Sequence, residues 1–343
     1  MTQDLSLAYA LKFEDLYSRD GLVRIDDLFM DYLGQSDEAL MAELAAARPR
    51  AAEIDAPDES ALLLKLAPYV DDFVGELFGI SKPIVDHAEK HHALARGFAC
   101  RRLFVQRVAL KKIKADEATL LDGQALEQDL VARMGKPFSE ANYTDSVMAW
   151  MDDGDAHEED LSIAAQYAAW RVHTSGHAGG HATSVLFKEP SRIDPQNLIP
   201  AIQDQAVHDV PVKVMDPDHL RQRPGFKLTD DGGDLADCLS EAHYCIFCHN
   251  QGKDSCSTGL KDKKTETFKE SAFGVELVGC PLEEKISEMH VAKTDGHFVG
   301  ALAIAIVDTP MIAGTGHRIC NECMKACIYQ KQDPVNIPMG ETR

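Results

Sequence analysis

The cysteines of this chain are concentrated in one part of the sequence. Of the nine, Cys100 stands alone, and the other eight fall between Cys238 and Cys327. The N-terminal segment carries acidic residues where a secretion signal needs a basic start and an apolar core, so we expect a cytoplasmic, reducing location. Such a density of thiols then predicts metal or redox chemistry instead of disulfides. Cys100 lies in an apolar helical pattern and is expected to be a small buried side chain.

The spacing of the last seven cysteines points to an iron–sulfur protein. The stretch HYCIFCHNQGKDSC and the later Gly-Cys-Pro triplet supply Cys245, Cys248, Cys256 and Cys280. The stretch RICNECMKAC has the spacing C-x2-C-x3-C and supplies Cys320, Cys323 and Cys327. Structural zinc sites usually combine two matched pairs, whereas a [4Fe–4S] cluster takes closely spaced ligands and a distant one, often in Cys-Pro. The pattern favours two clusters, which together need eight ligands, so the seven cysteines leave one ligand to be found elsewhere. The alternative is a zinc-stabilised all-α interaction protein without redox activity.

Three further motifs carry a family resemblance. GCPLEEKISEMH, DTPMIAGTGHRICNECMKAC and PVNIP together resemble the N-terminal iron–sulfur domain of the glutamate synthase small subunit and of dihydropyrimidine dehydrogenase (domain II). These belong to the FAD- and NAD(P)-dependent oxidoreductases. The resemblance implies a first ligand set of Cys245, Cys248, Cys256 and Cys327. It implies a second ligand set of Cys280, Cys320, Cys323 and Glu341, with Cys238 as the alternative to Glu341.

The function that this resemblance implies is electron transfer. The chain would relay electrons through two [4Fe–4S] clusters to or from a flavin on a following domain or a partner flavoprotein. FAD and NAD(P)H are expected on that partner, because no G-x-G-x-x-G follows a predicted strand here. No residue pattern predicts a catalytic acid, base or nucleophile, so the chain is expected to be a component of an oxidoreductase.

Charge and hydropathy exclude two classes of partner. The net charge of −21 disfavours nucleic acid and anionic membrane surfaces, both of which need clustered Lys and Arg. The longest apolar run, at residues 300–307, is too short to cross a bilayer. We therefore expect neither nucleic acid nor a membrane as a partner.

The fold class predicted from apolar periodicity is all-α. Residues 1–187 are expected to form a helical domain, in which Ser36 caps a helix and Pro68 starts a new helix or kinks one. Residues 188–237 are rich in proline and predict an irregular linker with one short strand at 210–215. From the resemblance, residues 238–343 are expected to be an α-helical ferredoxin-like domain that binds the two clusters.

Two histidine groups and one acidic run receive structural interpretations. Steps of four separate His173, His177 and His181, but the glycines among them disfavour a helical metal-binding face, so a loop is expected. A second group is expected to lie solvated on a charged helix face: His87, His91 and His92. The run MDDGDAHEED lacks the ligand placement of a calcium-binding loop and predicts a solvated turn.

Overall fold

The chain is mostly helical and contains one small sheet. The computed structural model describes residues 7–174, 184–196, 198, 202–215, 225–226 and 232–342, without the side chains of residues 317, 318 and 342. The predicted all-α class is confirmed as a mainly helical fold, and the difference is an antiparallel pair of strands. Helices α1 to α3 are Arg19–Ser36, Glu38–Ala47 and Ala56–Phe78.

Local side-chain bonds set the ends of these first helices. Asp37 caps α2, because its Oδ1 accepts a hydrogen bond from the Leu40 N–H at 2.9 Å, so the prediction of Ser36 as the cap is wrong. Helix α3 continues through Pro68 from Ala56 to Phe78. Proline removes one backbone hydrogen bond from the helix. Burial of the apolar face of α3, which includes Phe73, offsets this loss.

The next helices enclose an aromatic core. They are α4 Ser81–Cys100, a π-helix at Arg101–Ala109, α5 Leu110–Lys112, α6 Ala115–Ala118, α7 Gly123–Met134, α8 Glu140–Asp152 and α9 Glu158–Thr174. Tyr143 and Tyr167 are fully buried here, and each phenol has a hydrogen-bond acceptor. Tyr143 donates to the Ala164 carbonyl at 2.9 Å, and Tyr167 donates to Glu127 at 2.8 Å. Cys100 lies in this core, as predicted, and burial raises the pKa of its thiol to about 12.

The sheet is an exposed hairpin in the predicted linker region. Strand β1, Ile202–Val207, pairs with β2, Val210–Met215, so that Ile202 faces Met215. The short strand at 210–215 is therefore confirmed. Its partner was missed because three of the six residues in IQDQAV are polar, and every residue of β1 is exposed.

Seven further helices build the cysteine-rich part. They are α10 Leu235–Tyr244, α11 Ser255–Thr258, α12 Ile286–Thr294, α13 Phe298–Asp308, α14 Ile312–Ile319, α15 Glu322–Ala326 and α16 Ile337–Thr342. Helix α13 packs against both α12 and α3, around a buried core that includes Ala67, Met289 and Ile304. The first helices and the cysteine-rich part therefore share a core. Among the described residues, no helix has the length and apolarity to cross a membrane.

Asp71 connects α3 to the start of α13. Its carboxylate accepts the Gly300 N–H at 2.7 Å and contacts His297 Nδ1 at 3.2 Å. A carboxylate is favourable at this end of a helix, because the N-terminal N–H groups carry partial positive charge. The hydrogen bond to Asp71 raises the pKa of His297 above its ordinary value of 6.5.

We expect this pair to make stability depend on pH above neutrality. Since the folded pKa of His297 is raised, the stabilisation is complete below about pH 6.5 and is lost as pH rises through the folded pKa. Melting temperatures of the wild type and of Asp71→Asn, measured between about pH 6 and pH 8.5, check this. The variant, which keeps the side-chain shape, should show the smaller loss with rising pH. Equal slopes in the two proteins would contradict the prediction.

Candidate metal centre

The four thiols of the first ligand set line one small cavity. Its walls also include apolar side chains of Ile286, Val335 and Ile337, and the open space between them is only about 10 Å³. Three of the thiols come from residues 245–256, and Cys327 comes from the end of α15. Cys320 and Cys323, which neighbour Cys327 in the sequence, do not line this cavity, although Cys323 packs in the same apolar cluster.

The turn between Cys245 and Cys248 brings these two thiols to the cavity. Cys245 follows the last residue of α10, and Cys248 begins the 3₁₀ turn Cys248–Gln251. Phe247 between them has a positive φ of 55°, which is uncommon for a residue with a side chain. The Phe247 N–H donates to Cys245 Sγ at 3.4 Å. The strained residue therefore closes the turn and also points an amide at a thiol.

The long interval between Cys256 and Cys280 folds back on itself. Leu260 N–H donates to the Leu277 carbonyl at 2.9 Å, and the segment carries two isolated antiparallel bridges. At its base the Cys280 N–H donates to the Cys256 carbonyl at 2.7 Å. Gly279 has φ 81°, and a Cβ there would lie 2.5 Å from the Gly259 nitrogen, so this close approach requires glycine. The segment between Cys256 and Cys280 is therefore a loop whose two ends lie next to each other.

The protonation of the first set differs from one thiol to the next. Burial raises the pKa of Cys245 to about 12 and that of Cys248 to about 11. A hydrogen bond between Cys256 and Cys327 raises the pKa of the Cys256 thiol and lowers that of Cys327 to about 6. The N–H groups of Tyr329 and Val335 also donate to Cys327. One thiolate is thus already stabilised, and a metal must displace the protons of the other three.

Buried polar atoms next to the first set have no hydrogen-bond partner among the described residues. They are both ring nitrogens of His290 and Oδ1 of Asp254, and both side chains line the cavity. His290 is fully buried, and burial lowers its pKa to about 3. Buried polar groups nearly always have partners in native proteins. A bound group with a hydrogen-bond acceptor would supply a partner for the one N–H of a neutral His290 ring, so this residue fits an iron–sulfur cluster, whose sulfur atoms accept hydrogen bonds.

The members of the second ligand set also lie near one another. The pKa of Cys323 is raised by burial and, after burial, by the nearby charges of Glu341 and Cys280. Burial also raises the pKa of Cys280, with a contribution from Cys320, and the N–H groups of Glu284 and Leu282 donate to its sulfur. Cys320 is exposed, whereas Cys323 is buried. The second set therefore lies at the protein surface, and the first set is enclosed.

Glu341 and Cys238 occupy different environments. Burial raises the pKa of Glu341 to about 7, opposed by the charge of Lys293. Cys238 is buried in α10, where its Sγ lies 3.8 Å from the Lys293 Nζ. Of the two, Glu341 lies close enough to a thiol of the second set for its charge to raise the pKa of Cys323. Over the described residues, no three His, Cys, Asp or Glu side chains converge closely enough to hold a single metal ion.

The histidine and acidic motifs outside the ligand sets differ in how deeply their side chains are buried. His87 and His92 are exposed as predicted, but His91 is fully buried, with its Nε2 3.4 Å from Nε2 of His243. The prediction of a solvated His91 is wrong, because α10 covers that face of α4. His173 lies in the last turn of helix α9, so the prediction of a loop is wrong for this residue, while His177 and His181 lie outside the described residues. The acidic run forms the predicted turn, and its Asp160 pairs with Arg133 at 2.7 Å.

Sequence reasoning assigned no role to His290, Asp254 or Glu284. All three are polar residues close to cysteine motifs, and His290 stands in the quoted string GCPLEEKISEMH. The available signal was the helical spacing from Ile286 to His290, which places the imidazole beside an apolar residue on one face of α12. Burial raises the pKa of Glu284 to about 8, and the charge of Glu341 contributes.

Comparison with known proteins identifies a family for this chain. The profile of the RP005 N-terminal alpha-helical domain matches residues 7–79. A protein of Rickettsia prowazekii (strain Madrid E), described as uncharacterized protein RP005, is 31% identical over 302 residues, covering 84% of this chain and 98% of the relative. The chain belongs to the RP005 family. This membership covers both the N-terminal helices and most of the rest of the chain.

This chain also matches a second rickettsial protein, but over a short segment. The rickettsial protein described as uncharacterized protein RP006 is 78% identical over 32 residues, which are 9% of this chain and 4% of that protein. No solved structure matches the chain.

The comparisons correct the family resemblance drawn from the cysteine motifs. Membership in the glutamate synthase small-subunit and dihydropyrimidine dehydrogenase family is wrong, because the matching family is RP005 and no iron–sulfur or oxidoreductase family matches. The motifs that suggested the resemblance are short segments of 12, 20 and 5 residues. Such segments report a local ligand geometry, and a whole-chain relationship rests on many more positions.

Proposed function

We propose that this RP005-family chain is an electron-transfer protein that holds two [4Fe–4S] clusters. The observation that carries the proposal is the meeting of Cys245, Cys248, Cys256 and Cys327 around one cavity. Cys327 belongs to a C-x2-C-x3-C loop, yet its thiol lies with the distant cysteines. This division of one loop between two ligand sets is the arrangement found in two-cluster ferredoxins. A ferredoxin-like helical domain built from α10 to α16 is part of the proposal.

The chain supplies ligands, amides and exclusion of water. A cluster bound in each set would store and release one electron. The N–H groups that donate to Cys245, Cys280 and Cys327 would stabilise the negative charge on the sulfurs and so tune the potential. Stacked rings of Tyr244 and Tyr329, with centroids 4.5 Å apart, shield the first set from solvent.

The second set is the end at which we propose that electrons enter or leave. Cys320 is exposed there, and the neighbouring Ile319 is 71% exposed. We propose a flavoprotein as the electron partner, with FAD and NAD(P)H bound on that partner, because flavins link two-electron hydride chemistry to single-electron carriers.

Metal and sulfide analysis tests the proposed function. We expect about eight iron and eight acid-labile sulfide atoms per chain after anaerobic purification, with a broad visible absorption band that dithionite bleaches. The same preparation should contain little zinc. One equivalent or more of zinc, without labile sulfide, would instead establish the zinc-stabilised interaction protein and overturn the proposal.

A further inference from the structure

A large cavity lies next to the second ligand set and is separate from the first. It has a volume of about 590 Å³, within the range of small-molecule sites. In the part of the chain that the structure describes, its walls come from α4, α12, α13 and α14, with further residues from α10 and α16. The apolar side chains that line it include Ile84, Met289, Phe298, Leu302 and Ile312. Its size and walls suit a flat molecule of about two rings.

Three titratable side chains line this cavity among the described residues. His87 is exposed on α4, and its ring meets Phe298 edge-to-face with centroids 6.2 Å apart. Lys293 and Glu341 lie on the wall toward the second ligand set, and Lys293 is 4% exposed. The Lys293 ammonium donates to the Gly340 carbonyl. Lys293 also lies 3.8 Å from Cys238 Sγ, so its ammonium is engaged within the protein, and the exposed His87 ring is the donor that a ligand would meet.

This pattern selects a ligand by shape and by hydrogen-bond acceptors. An apolar body would bury against Phe298, Leu302 and Met289, and a carbonyl oxygen would accept a hydrogen bond from His87. A fully charged anionic head would gain less, because the carboxyl group of Glu341 lies beside the ammonium. Quinones combine a flat apolar ring with carbonyl acceptors and no charge.

We infer that this cavity is a binding site for a quinone-class molecule that exchanges electrons with the second ligand set. The inference rests on the proposed function, because Glu341 is at once a member of that set and part of the cavity wall. Two electrons, delivered one at a time by reduced clusters that are thereby oxidised, and two protons from water would convert the quinone to the quinol. The proposed flavoprotein partner would re-reduce the clusters.

Calorimetric titration tests binding without relying on activity. The probe is 2,3-dimethyl-1,4-naphthoquinone, whose substituted ring resists addition of thiols, and the comparison ligand is 2,3-dimethylnaphthalene, which lacks the carbonyls. We expect the quinone to bind one site per chain and the hydrocarbon to bind at least about tenfold more weakly. The Leu302→Trp variant fills the cavity and should weaken quinone binding at least about tenfold, since the ligand and the indole compete for the same space.

A matched control uses another exposed leucine. Leu22 is 53% exposed on α1 and does not line the cavity, and Leu302 is 46% exposed. Leu22→Trp should bind the quinone as the wild type does. No binding, equal binding of the hydrocarbon, or an unchanged affinity in Leu302→Trp would each overturn the inference. Iron is counted in the same samples, so a protein that binds quinone without iron contradicts the electron-transfer function and leaves the binding site established.

Discussion

Replacing Cys327 by alanine is expected to remove about half of the bound iron and labile sulfide, from about eight to about four atoms of each per chain. The thiol of Cys327 lies with Cys245, Cys248 and Cys256 around the enclosed cavity. Its substitution deletes the ligand that already favours the thiolate form, with a pKa of about 6. The second ligand set keeps all four members, so the remaining iron should stay bound there.

Two further variants turn this result into a test of how the loop is divided. Cys320→Ala should remove the other half of the iron, because Cys320 belongs to the second set, and the double variant Cys320→Ala with Cys327→Ala should bind almost none. Cys100→Ala is the matched control, since Cys100 is a buried cysteine in the aromatic core. If Cys327→Ala retained full iron, or if Cys100→Ala lost as much, the assignment of the first set would be wrong.

Gly300→Ala is expected to destabilise the folded chain. Gly300 lies where α13 crosses α3, and a Cβ there would be 2.5 Å from the Ala67 carbonyl oxygen and 2.7 Å from the Ala67 Cβ. The oxygen belongs to the backbone, so the two helices must separate, and this also strains the Gly300 N–H bond to Asp71. Overpacking of this kind costs about 1–3 kcal/mol, which for a chain of 343 residues corresponds to a melting temperature lower by about 1–4 °C.

Gly314→Ala provides the comparison for this substitution. Gly314 lies in helix α14, and a Cβ there would meet nothing within 4 Å among the described residues. Since alanine favours a helix over glycine by up to about 1 kcal/mol, the melting temperature should stay the same or rise slightly. Scanning calorimetry of the two variants beside the wild type gives the answer. A smaller loss in Gly300→Ala than in Gly314→Ala would show that the crossing of α3 and α13 tolerates a wider spacing.

The helical scaffold was predictable from the sequence because its signals are local. The helical domain predicted over residues 1–187 contains α7 at Gly123–Met134, because apolar periodicity and a terminal glycine act over a few residues. The burial of His91 was not predictable in this way. It depends on α10, whose His243 is far away in the sequence and meets His91 only after the chain has folded.

The candidate site shows the same difference between local and distant information. Cysteine spacing predicted which residues carry the chemistry, and the structure brings the first set around one cavity, while the presence of clusters stays a prediction. The spacing said nothing of His290 or Asp254, because a buried polar atom without a partner is a property of three-dimensional packing. The short motifs also predicted a family that the whole chain does not support, since residues 7–79 match the RP005 domain.

The hydrogen bond from the Cys280 N–H to the Cys256 carbonyl has a consequence for how this protein varies between relatives. The segment between these cysteines is a loop whose two ends lie together, because Gly279 packs closely against Gly259. Lengthening a loop whose ends are fixed costs little free energy, growing only with the logarithm of its length. Insertions and deletions at residues 257–278 should therefore accumulate without moving either thiol. The number of residues between Cys256 and Cys280 should therefore differ between relatives, whereas the hydrogen bond that joins these two residues should be conserved.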